Sequence, residues 1–107
     1  MSQRLDTRFT ALRAQNRAAL VAYIMADDPN ADIAFETLRG LPDAGADVIE
    51  LGYPFSDPMA DGPSIQLAGQ RALKSGGSLK RTLELLARFR ETDQDTPVEL
   101  RGYSNPI

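Results

Sequence analysis

Two short runs in this chain are almost wholly apolar, and each is flanked by stretches with helical spacing. Residues 18–25 read Ala18-Ala19-Leu20-Val21-Ala22-Tyr23-Ile24-Met25, and residues 47–52 read Asp47-Val48-Ile49-Glu50-Leu51-Gly52. The first is unbroken, as a parallel strand covered on both faces is, and the second reads as another strand, interrupted only by Glu50. A third run, Val98-Glu99-Leu100-Arg101-Gly102, alternates instead.

The intervening segments have the marks of helices. Leu5, Phe9 and Leu12 recur at helical spacing after a capping Ser2, with an exit at Asn16-Arg17. A second helix is expected over 31–43, with Phe35, Leu38 and Leu41 on one side and Gly45 at its C-terminal cap. Asp27 and Asp28 are candidates to cap its start. Pro63 suits the first turn of a third helix carrying Ile65, Ala68 and Ala72. Ser78 caps a fourth, with Leu79, Leu83 and Leu86 as its apolar stripe; Lys80, Arg81, Arg88 and Arg90 would form its solvated face. The expected order is α-β-α-β-α-α-β. Helices alternating with strands imply right-handed βαβ units and a three-stranded parallel sheet.

Composition removes several functions. The chain has 107 residues, 12 Lys plus Arg against 15 Asp plus Glu, and no His, Cys or Trp. Disulfides, Cys/His metal sites and His-based triads are ruled out, so acid–base chemistry falls to carboxylates, Lys or Tyr. A net charge of −3 is a poor match to nucleic acid. No apolar run approaches a membrane span, and the start has no signal-peptide core, so a cytoplasmic protein is expected. No metal site is expected.

Glu50 interrupts an apolar strand near its end, and active sites of parallel α/β folds lie at strand C-termini. On position alone it reads either as an acid–base group or as a structural carboxylate paired with a Lys or Arg. Asp57 and Asp61 lie in the turn that follows. Turns favour Asp for local hydrogen bonds, but Pro54, Pro58, Gly62 and Pro63 make this one long and stiff for a mere connection. Tyr23 and Tyr103 could line a pocket or pack as core. In the third run Glu99 and Arg101 share a face. That suits an edge strand with one solvated face, or a barrel interior left open.

The segment from Glu50 to Gln66, ELGYPFSDPMADGPSIQ, resembles the hallmark of the tryptophan synthase α family, and the likeness runs through Asp28-Pro29, residues 43–47, residues 70–73 and the closing residues 102–106. The resemblance implies a (β/α)₈ barrel with an additional N-terminal helix, and retro-aldol cleavage of indole-3-glycerol phosphate to indole and glyceraldehyde 3-phosphate. Glu50 then matches the catalytic acid/base. Asp61 matches the carboxylate that binds the indole N–H, Tyr23 matches an aromatic of the indole pocket, and Tyr103 is assigned to substrate binding with it. Residues 53–61 match the segment that contacts the β subunit. That subunit carries the family's pyridoxal phosphate; no cofactor is expected in this chain. The sequence departs from the family run at Asp27, where Gly is usual, at Tyr53, and at Glu99 and Arg101, where the third strand is usually apolar.

A barrel of this kind needs ~250 residues, so the 107 residues are expected to be an N-terminal fragment of one barrel domain, about three of eight βα units. Alone, such a piece is expected not to turn over and to self-associate into a homo-oligomer through its open strand edges. The alternative is an excised or engineered βαβαβ module with no catalytic role.

Overall fold

The computed structural model describes residues 3–53, 63–74 and 77–101. The elements are α1 (Gln3–Ala14), β1 (Val21–Met25), α2 (Ala31–Gly40), β2 (Val48–Gly52), α3 (Pro63–Lys74), α4 (Leu79–Arg90) and β3 (Val98–Arg101). Their order is the expected one. The strands form one parallel sheet in the order β1-β2-β3, with Tyr23 beside Glu50 and Glu50 beside Glu99.

Strand alternation sorts the sheet into two unlike faces. Ala22, Ile24, Ile49, Leu51, Val98 and Leu100 pack with Phe35 and Leu38 of α2 and with Leu85 and Phe89 of α4. Ile49, Leu51 and Leu38 are wholly buried there. The opposite face carries Tyr23, Glu50, Gly52, Glu99 and Arg101. In a (β/α)₈ architecture the helices lie outside the strands, so this second face is the one that turns inward.

Local chemistry sets the helix ends. The Asn30 side chain accepts from the Ile33 N–H at 3.0 Å, so Asn30 caps α2. Ser78 Oγ accepts from the Arg81 N–H at 3.2 Å at the start of α4. Asn16, at φ 52°, closes α1, and Gly45, at φ 111°, turns the chain into β2.

Several expectations are corrected. The run 18–25 is not covered on both faces: Leu20, just before β1, and Val21 are about half exposed, and Val21 shares the face of Tyr23, opposite the packed helices. Helix α2 stops at Gly40, three residues short of the expected end, and a turn carrying Pro42 follows. The stripe of α4 is Thr82, Leu85 and Phe89, with Leu83 turned out to solvent. Thr82 can lie in that stripe because its hydroxyl donates to Ser78 O at 2.9 Å, which satisfies that buried hydroxyl.

The basic residues of α4 are not a simple solvated face either. Arg88 stacks over the Phe35 ring at 3.7 Å, and Arg90 donates to Thr96 O at 2.7 Å and Asp93 O at 3.2 Å. Asp27 and Asp28 do not cap α2. Asp27 pairs with Arg81 at 3.2 Å and Asp28 with Arg71 at 2.7 Å, so the turn after β1 is tied to both α4 and α3.

At the other end of the sheet, Asp47 stands just before β2 and is buried. It accepts from the Leu20 N–H at 2.8 Å and from Arg17 at 2.9 Å, with Arg8 of α1 at 3.7 Å. Arg4 donates to Gln94 O at 2.6 Å. These contacts lay α1 across the N-terminal ends of the strands. A concavity of about 600 Å³ between α1 and residues 94–95 lies at that end, away from Glu50. No helix among the described residues is long and apolar enough to cross a membrane.

Candidate active site

Glu50 is the third residue of β2, on the inward face and half-buried. Tyr23 is its in-register neighbour on β1, so a carboxylate and a phenol ring stand side by side on that face. The Tyr23 ring extends along the sheet toward the strand C-termini, where its hydroxyl crosses Gly52 closely enough to exclude any Cβ there. A side chain at 52 would therefore force Tyr23 to move.

β3 supplies the charges beside them. Arg101 Nη1 donates to Glu50 Oε2 at 3.0 Å, and its guanidinium carbon lies 5.8 Å from the Tyr23 ring centre. Glu99 is the in-register neighbour of Glu50. Two carboxylates at adjacent strand positions repel, and Arg101 offsets that repulsion. Because Arg101 is about half exposed, the pair is worth no more than ~1 kcal/mol to stability.

Tyr53 follows β2 and is buried, 4% exposed. Its N–H donates to Arg101 O at 3.2 Å, which extends the β2–β3 pairing. Its hydroxyl is buried with no hydrogen-bond partner among the described residues, and burial pushes its pKa above the ordinary tyrosine value.

The structure thus brings together two of the four residues singled out, Glu50 and Tyr23. Asp61 and Tyr103, like Asp57, lie outside the described residues. Glu50 lies on the inward face and is paired with an arginine, Arg101, as one of its two sequence readings expected. The Arg101 partner was legible only as a charge on the shared face with Glu99; strand register, which the sequence does not carry, brings it to Glu50. Among the described residues no group of three or more acidic side chains is gathered as for a metal ion.

A parallel sheet with helices on one face, and with a carboxylate beside an aromatic on the other, is an arc of a (β/α)₈ barrel with its candidate chemistry on the inward side. Residues 9–107 match the family model described as tryptophan synthase alpha chain. The chain belongs to that family. It is 62% identical over 104 residues to the tryptophan synthase alpha chain of Caulobacter vibrioides strain NA1000, covering 97% of this chain and 38% of the relative. A second relative, from Caulobacter sp. strain K31, matches at the same identity and coverage. Among solved structures, the alpha subunit from Legionella pneumophila superposes with a TM-score of 0.95 at 44% identity, over 100% of this chain and 41% of that one. A chain of the Mycobacterium tuberculosis tryptophan synthase superposes at 0.86 and 33% identity, over 99% and 42%. The chain therefore spans about two fifths of the length of the relatives it matches.

Proposed function

We propose that this chain is the N-terminal part of a barrel domain that cleaves indole-3-glycerol phosphate to indole and glyceraldehyde 3-phosphate, with Glu50 as its acid–base group. The observation that carries the reading is the side-by-side placement of Glu50 and Tyr23 on the inward face, at strand positions suited to chemistry in a parallel barrel.

The chemistry asks for such a pair. Cleavage requires a proton at C3 of the indole ring, after which the bond from C3 to the glycerol carbon breaks. The electrons of that bond return to the ring, and the neighbouring hydroxyl loses its proton to become the aldehyde. A carboxylic acid at the ring edge can deliver the first proton, and as a carboxylate it can take up the second. An aromatic beside it offers a face to the ring. Asp61 is proposed to hold the indole N–H and to balance the positive charge that forms on the ring, and Tyr103 to line the pocket with Tyr23.

The test is glyceraldehyde 3-phosphate release by the full-length protein carrying this sequence. Glu50→Gln is expected to lower kcat by about 10²–10⁴-fold, the usual worth of a positioned acid–base group. Activity within a few-fold of the parent would sink the assignment.

Residues 53–61 are proposed to meet a β-type partner subunit, as the family resemblance suggests, and the assembly is placed in the cytoplasm, with neither nucleic acid nor membrane as a partner. A polypeptide of these 107 residues alone is proposed to be inactive, since the phosphate site of such barrels is built by loops after strands 7 and 8. Its exposed Leu20 and Val21 at the β1 edge favour pairing with another copy, so it is proposed to self-associate. Light scattering that gave a monomer mass at high concentration would refute that.

A further inference from the structure

Arg101 stands at a position where it meets both members of the proposed site. Its guanidinium holds Glu50 Oε2 at 3.0 Å and reaches over the Tyr23 ring. All three side chains rise from the inward face, from three adjacent strands. An aromatic substrate that is to lie against Tyr23 with its ring edge at Glu50 needs the same space. The arginine also engages the carboxylate that has to carry the proton. We propose that Arg101 is a latch on this site: it occupies the ring position in the free protein and must be displaced from Glu50 and Tyr23 before an indole ring can bind.

The inference rests on the proposed function of this face, and it makes Arg101 a specificity-determining residue for that reaction. Its physical basis is competition. A ring that enters has to break a charge-assisted hydrogen bond and a cation–π contact. It also has to leave the guanidinium either solvated or moved toward Glu99, the β3 carboxylate beside Glu50. The pair is partly solvated, with Arg101 55% and Glu50 29% exposed at the side chain, so the latch is weak enough to open. An apolar residue of similar length at 101 would instead extend the apolar floor beside Tyr23.

The experiment is equilibrium binding of indole itself to the full-length protein, which needs no turnover. Arg101→Leu is expected to tighten indole binding about fivefold, the upper range for loss of a partly exposed ion pair. Arg101→Lys is expected to stay within twofold of the parent. Should the leucine variant fail to fold, Arg101→Gln removes the charge at similar length and is expected to move the same way. In a Glu50→Gln background the arginine loses its charged partner, so the effect of Arg101→Leu is expected to shrink to twofold or less. Equal indole affinity in the parent, Leu and Gln proteins overturns the latch, as does an undiminished effect in the Glu50→Gln background. Absence of indole binding in every form overturns the latch and the proposed site together. Retained turnover in Glu50→Gln alone, with the binding pattern as expected, refutes the acid–base assignment and leaves the latch supported.

Discussion

The Tyr23 side chain lies across Gly52, so that a Cβ on that glycine would meet the tyrosine hydroxyl and come within 2.8 Å of Cζ. The two residues belong to adjacent strands, β1 and β2, with Met25 the register partner of Gly52. The orientation of Tyr23 and the absence of a side chain at 52 are therefore one feature. Gly52→Ala is expected to destabilise the full-length protein by about 1–3 kcal/mol, the usual range for overpacking. Tyr23→Phe in the same chain removes the nearest atom, and is expected to return part of that loss but not all, because Cζ remains close. Chemical denaturation of the two single variants and the double variant measures the coupling. Simple additivity would show that the ring does not rest on Gly52.

The buried stripe of α4 gives a sharper contrast. Leu83 is 46% exposed while Leu85, two residues on, is buried in the core with Phe89 and Leu38. Leu85→Ala is expected to cost about 2–5 kcal/mol. Leu83→Ala, at an exposed helix site where alanine propensity compensates, is expected to stay within about 0.5 kcal/mol. Thermal or denaturant unfolding of both variants checks the pair, and equal losses would place the helix a third of a turn from its described position.

The same helix shows what the sequence could and could not carry. Its existence, its Ser78 cap and its amphipathic character were legible, because capping and periodicity are local properties. The buried face was not. Leu79, Leu83 and Leu86 fit helical spacing as well as Thr82, Leu85 and Phe89; Leu86 does pack against the core, but Leu83 is exposed, and hydrophobicity alone excludes the buried threonine. Its burial depends on a bond to Ser78 O that becomes visible only in three dimensions. The inward face divides in the same way. Glu50 stood out as a charge in an apolar strand, and Arg101 as a departure from family pattern. Their pairing is set by the β2–β3 register, a tertiary fact. Asp27 and Asp28 looked like caps because turns favour aspartate for local bonds; their partners, Arg81 and Arg71, lie more than forty residues along the chain.

Acid sensitivity follows from two carboxylates. Asp47 has a pKa below its ordinary value: the Leu20 N–H bond lowers it most, burial pushes the other way, and Arg17 and Arg8 add to the lowering. Burial also pushes Asp93 up, but bonds from Thr96 and Asp95 and the charge of Arg90 outweigh it, so it too lies low. Because both values are lower folded than unfolded, each group contributes stability above the unfolded value of about 3.9, and that contribution is lost as pH falls through the folded value. The denaturation midpoint is expected to drop as pH is lowered from about 5 to below about 3. Asp47→Asn is expected to flatten that limb while lowering stability near neutrality, since the amide can still accept from Leu20 but cannot pair with Arg17. A variant whose acid limb matched the parent would deny Asp47 this role.

Asp27 joins two demands that a substitution series can separate. Its backbone has φ 63°, a left-handed conformation that costs most side chains about 1–2 kcal/mol and glycine almost nothing. Its side chain, 4% exposed, pairs with Arg81 at 3.2 Å. Glycine at 27 satisfies the backbone and loses the pair. Alanine loses both. Asn keeps a side chain that tolerates the conformation but gives up the charge. The expected order of stability is parent, then Asp27→Asn, then Asp27→Gly, with Asp27→Ala lowest and below the glycine variant by about 1 kcal/mol. The Arg81→Leu background isolates the backbone part: there the charge no longer has its partner on α4, and Asp27→Gly is expected to cost less than it does in the parent. Denaturant midpoints across the series decide the matter. An alanine variant as stable as the glycine one would mean that the turn after β1 relaxes out of the left-handed region and that the backbone conformation at 27 adds no cost.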